Sequence, residues 1–121
     1  QAYNGDALQQ MAENENLGFF LPKEGSAMWM DNIVMLKSSK AKDLAYKFID
    51  FMLDAEIAKR NAEYTQYATP NKAALQLLGE DFQANPLINP DAAYLQKCHM
   101  IEYLGEAVKS IDRIYEAIKL N

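Results

Sequence analysis

The sequence predicts an α/β fold, helix-rich with a few strands and incomplete on its own. Three observations predict it. Two short apolar segments in the first third of the chain carry β-favouring residues between turn signals. From Ser39 onward the apolar period becomes helical. The strand-like segments read as buried on both faces, as in helix-covered sheets, whereas a two-stranded pair is marginal without partners. Those strands want neighbours that this chain does not supply.

The elements follow in order. Asn4-Gly5-Asp6 is turn chemistry, and a helix is expected over Asp6–Glu13, with Asp6 near its positive end. Leu17–Leu21 reads as a buried strand closed by Pro22, which cannot donate to a ladder. Lys23–Ser26 is a loop. Ala27–Leu36 reads as a second strand, interrupted by Asp31-Asn32. Leu44, Phe48, Phe51 and Met52 then form a helical stripe widened by Ala45 and Ile49. Asp54 is placed to cap a following helix containing Ile57, Ala58 and Ala62. Tyr67–Asn71 breaks it, because Pro70 pushes its predecessor out of the α region. A short helix over Lys72–Leu78 is expected to stop at Gly79, with further helical turns near Asp81–Ala84 and from Asp91 toward Lys97. In the last segment Leu104, Val108, Ile111, Tyr115 and Ile118 make a helix packed by one stripe.

Composition narrows the function classes. The 121 residues carry a formal charge of −5 and are half hydrophobic, which suits a globular unit with a core and argues against disorder. The longest uninterrupted apolar runs are four residues, far below the roughly 20 a membrane span needs. No basic stripe is present to neutralise phosphates, so nucleic acid is not an expected partner. Gln1–Gly5 lacks Met, a basic stretch and an apolar run, and reads as an interior or processed start.

Enzyme chemistry finds no footing. Cys98 and His99 are the sole cysteine and histidine, so no zinc site closes within the chain, and adjacent residues rarely face each other as a catalytic pair. The pair reads as structural. Phosphate loops, dinucleotide fingerprints, nucleophile elbows and HExxH are absent, so no cofactor is expected. Asp31 is the exception among the carboxylates, lying inside an apolar stretch, Met28–Leu36. It reads either as a strand end or bulge facing water, or as a site carboxylate at the end of a buried strand. Trp29, two positions away, shares its face on a strand, and an indole beside a carboxylate suits an organic cation; the indole equally suits a core. Tyr3 and Tyr67 flank turns, where partly buried surface tyrosines are common.

Three segments, Tyr3-Asn4-Gly5-Asp6-Ala7, Trp29-Met30-Asp31-Asn32 and Tyr67-Ala68-Thr69-Pro70-Asn71, carry a resemblance. With Leu21–Gly25, Lys47–Leu53, Asn89–Ala92 and Gly105–Ala107, they resemble the C-terminal portion of the bacterial periplasmic spermidine/putrescine-binding proteins. The resemblance implies the C-terminal part of a two-lobed type II periplasmic binding protein fold that closes on its ligand about a hinge. Residues 1–28 and 70–121 would belong to the second lobe, and 29–69 to the hinge crossing and the first lobe. It also implies a polyamine ligand, ABC transporter permease subunits as partners, and a periplasmic or lipid-anchored extracellular location. Carried over residue by residue, Trp29 and Asp31 match the site indole and carboxylate, and Tyr67 a site aromatic. Tyr3 stands where relatives often place Trp. Ile101 stands where relatives can place a polar contact, which leaves Glu102 beside it as the polar candidate.

The rival expectations are a helical structural or protein-interaction module without a small-molecule ligand, or the same fold binding another solute.

Overall fold

The computed structural model describes residues 2–119; residue 1 and residues 120–121, part of the expected second-lobe segments, lie outside the described residues. Among the described residues the order is α1 (Asn4–Glu13), β1 (Ala27–Met28), α2 (Lys42–Leu53), α3 (Ala55–Thr65), α4 (Lys72–Leu77), α5 (Glu80–Ala84), α6 (Ala92–Leu95), β2 (His99–Met100) and α7 (Ala107–Lys119). No helix among these residues is long and apolar enough to cross a membrane.

α3 is the centre. It packs on α4, α2 and α1. Ala58 and Ala62 on α3 and Ala74 on α4 are buried, and alanine lets helix backbones approach closely. Leu78 and Ile88 complete the buried apolar set. Two caps define the junctions. Asp54 accepts from the backbone N–H of Glu56 and Ile57, at 3.0 and 3.1 Å, as its position predicts. Asn71 accepts from Ala73 and Ala74, starting α4, while its amide donates to the Leu53 carbonyl at 2.8 Å. One side chain thus starts α4 and satisfies a carbonyl at the end of α2.

The β structure differs from expectation. Leu17–Leu21 is not in a ladder; Leu17 and Phe20 are exposed, because among the described residues no strand lies beside this segment to cover them. In the second segment only Ala27 and Met28 pair, in parallel with His99 and Met100, a strand the apolar pattern does not announce. Beyond Met28 the chain to Leu36 stays unpaired, and Ile33, Val34 and Leu36 face solvent. The pair forms where Gly25, at φ 99°, lets the chain pass against the Lys97 backbone; any Cβ there would collide with the Lys97 carbonyl. Cys98 sits at this crossing, its Sγ 3.6 Å from the Tyr94 carbonyl and 3.7 Å from Ser26 Oγ, in keeping with a structural residue.

The helices match expectation more closely, with three corrections. α1 begins at Asn4, so Asn4-Gly5-Asp6 is a first helical turn and not a loop; Tyr3, in extended conformation, is its N-cap. Gly79 does not end α4 in a left-handed conformation: with φ −63° and ψ 156° it is the N-cap of α5. The stripe on α7 is formed but bare, with Ile111, Ile114, Tyr115 and Ile118 exposed, because no other described element packs extensively against it. Leu44, Phe48 and Phe51 on α2 are likewise more than half exposed.

Candidate functional site

Three of the residues singled out by sequence meet in space. The rings of Tyr3 and Trp29 lie 4.7 Å apart between centroids, tilted by 58°. Tyr67 approaches Trp29 edge-on, at 6.1 Å and 75°. Both arrangements fall in the favourable range for aromatic pairs, in which the electron-rich face of one ring meets the edge of another.

Each ring is delivered by a distinct local device. Tyr3 is the N-cap of α1, and Asn4 ties that end down by donating to the Leu87 carbonyl at 2.8 Å. Trp29 directly follows β1, so the ladder with β2 fixes its backbone; the Ile101 N–H donates to the Met28 carbonyl at 2.9 Å. Tyr67 follows Gln66, the left-handed C-cap of α3 with φ 58°. A non-glycine residue in this region costs roughly 1–2 kcal/mol. Gln66 offsets part of that through its side chain, which donates to the Glu63 carbonyl. The turn it makes sends Tyr67 back toward α1 rather than onward along α3.

The Tyr67 hydroxyl donates to Asp6 Oδ1 at 3.4 Å. Burial pushes the Tyr67 phenol above its ordinary range, and the nearby Asp6 charge adds to the shift. Below that raised range the hydroxyl stays protonated and available as a donor. The sequence places Asp6 in the opening turn near the positive end of a helix and inside a segment of the resemblance, with no role at the site. The signal that points further is its neighbour: a glycine inside a helix weakens it, and so asks for a packing reason.

Asp31 lies in the unpaired chain beyond β1. It is exposed, and its side chain makes no hydrogen bond or ion pair among the described residues. Its carboxylate is therefore open to a ligand cation. Glu102 is also exposed and its side chain unpartnered among the described residues. The Ile101–Met28 hydrogen bond sets Ile101 beside Trp29; with alternation along an extended chain, Ile101 rather than Glu102 shares the Trp29 side. The described residues hold no cluster of three or more His, Cys, Asp or Glu suited to a metal ion. Chemically, the arrangement offers ring faces for methylenes and cationic charge, with the Asp6 carboxylate on the Tyr67 hydroxyl and the exposed Asp31 two residues along the chain from Trp29.

Residues 1–90 match the family model described as bacterial extracellular solute-binding protein. Over 97% of its length the chain is 32% identical to the spermidine/putrescine-binding periplasmic protein of Salmonella typhimurium, of which it covers 34%. It is 33% identical to a putrescine/cadaverine-binding protein of Pseudomonas aeruginosa, over 98% of this chain and 35% of that one. Among solved structures, a Listeria monocytogenes protein assigned as a spermidine/putrescine ABC transporter superposes with a TM-score of 0.86 and 38% identity, over 96% of this chain and 36% of that chain. The chain spans about a third of the length of the curated relatives it matches.

Proposed function

The chain belongs to the bacterial extracellular solute-binding proteins, and from that premise we propose that it forms part of a receptor that captures a polyamine, spermidine or putrescine, for an ABC importer. The single observation that carries the reading is the convergence of Tyr3, Trp29 and Tyr67 from three separated segments.

A polyamine is a flexible chain of protonated amines separated by methylenes. Ring faces cover the methylenes and attract the charges, each cation–π contact contributing about 0.5–2 kcal/mol depending on desolvation. Asp31 fixes one ammonium through a charge-assisted hydrogen bond, the stronger and more directional contact. Glu102, which alternation turns away from Trp29, is the weaker carboxylate candidate and would act only from outside the ring cluster. Residues 29–69 would carry the hinge crossing and part of the first lobe, and residues 1–28 and 70–121 part of the second. Lobe closure would remove water from the rings and carboxylates, stabilising the closed state in proportion to its differential affinity for the ligand. The receptor would work in the periplasm or lipid-anchored outside the cell, handing its ligand to permease subunits.

Calorimetric titration of the full-length protein with spermidine and putrescine tests this. Asp31→Ala should weaken binding by about a hundredfold or more, since it strands a desolvated ammonium. Unchanged affinity would remove Asp31 from the site, and no polyamine binding by the unsubstituted protein would end the proposal.

A further inference from the structure

Gly5 and Asp6 both lie against Tyr67. Gly5 is buried in the first turn of α1. A Cβ placed on it would stand 2.5 Å from Tyr67 Cε2, 2.7 Å from Cδ2 and 2.6 Å from the Thr65 carbonyl oxygen. The phenol ring and the end of α3 therefore fill the space that any other residue would need. One position on, Asp6 accepts from the Tyr67 hydroxyl. Gln9, a turn further along α1, donates to the Thr65 carbonyl at 3.1 Å and binds α1 to the end of α3. Tyr3 caps this same turn and touches Trp29.

We infer that Gly5 and Asp6 are positioning residues for the solute site: Gly5 admits the Tyr67 ring against α1, Asp6 holds its hydroxyl, and together they set the angle at which Tyr67 meets Trp29. The inference rests on the reading of Tyr67 as a wall of that site. A ring held in place before the ligand arrives need not be ordered on binding, so affinity rises without a new ligand contact. The upward shift of the Tyr67 phenol agrees with a partly buried ring beside an anion; Asp6 and Tyr3 are the titratable groups acting on it.

The test uses the full-length protein and two readouts. Tyrosine ring carbons, observed by NMR without ligand, report Tyr67 directly, its signal identified by loss in Tyr67→Phe. Gly5→Ala and Asp6→Leu should both move that signal, and Asp6→Asn should lower the pH at which the phenol ionises by removing the carboxylate charge. In calorimetry with spermidine and putrescine, Asp6→Leu should weaken binding about five- to thirtyfold, and Gly5→Ala at least as much. Asp6→Asn, which still accepts from the hydroxyl, should stay within about threefold of the parent. In a Tyr67→Phe background Asp6→Leu should cost less than about twofold, because the hydroxyl it holds is gone. An unmoved Tyr67 signal in both Gly5→Ala and Asp6→Leu would overturn the inference. So would an undiminished effect of Asp6→Leu in the Tyr67→Phe background, which would mean that Asp6 acts on the ligand itself. If the parent protein binds neither polyamine, the proposed function fails, and the ring signals alone decide the positioning role.

Discussion

α3 and α7 are both amphipathic, and their apolar faces have opposite surroundings. On α3, Ala58 and Ala62 are 8% and 3% exposed, covered by neighbours that include α4 and α1. On α7, Ile111, Ile114 and Ile118 are 49%, 61% and 69% exposed. The bulkier face is the bare one, although burying each such side chain is worth about 1.5–3 kcal/mol. The difference lies in the partner and not in the helix. Small residues let α3 nest against α4 with little area per residue but close backbone approach, while α7 presents large side chains that the other described elements leave largely exposed. An apolar stripe fixes which face a helix will bury, and says nothing about what will cover it.

Substitutions of the same kind in the two regions give a direct comparison. Ala74→Asp places a carboxylate in the α3–α4 contact, at a fully buried position, and should cost about 3–5 kcal/mol of stability in thermal or denaturant unfolding of the chain. A loss below about 1 kcal/mol would mean that the contact opens readily to water. Asp54→Ala removes the cap shared by the α2–α3 junction and should cost about 1 kcal/mol, with most of the helical signal retained. Ile111→Asp, on the bare face of α7, should change stability by less than about 0.5 kcal/mol in the same measurement. A cost there near that of Ala74→Asp would show that α7 is covered in solution, and would erase the contrast.

The same contrast explains what could be read from the sequence. Helix periods, the Asp54 cap and the break at Pro70 are local, and α2, α3 and α4 follow them closely. The β1–β2 pair is not local. Each strand contributes two residues, and their pairing depends on a close approach at Gly25 that no alternation pattern encodes. Leu17–Leu21 misleads for the converse reason: it has the composition of a covered strand, and the described residues leave Leu17 and Phe20 exposed. At the site, Trp29 and Asp31 share a short motif, yet Tyr3 and Tyr67 reach it from distant segments. Spacing left them as ordinary surface tyrosines, and only the resemblance put them together. The Asp6–Tyr67 contact was legible in neither way, because its clue is a glycine in a helical turn.

The most direct test of the central claim is to observe the ligand against the rings. In a complex of the full-length protein with spermidine, through-space NMR contacts should connect the ligand methylenes to ring protons of Tyr3, Trp29 and Tyr67, with those methylenes shifted upfield by the ring currents. Tight binding of spermidine with no such contact to any of the three rings would contradict the account.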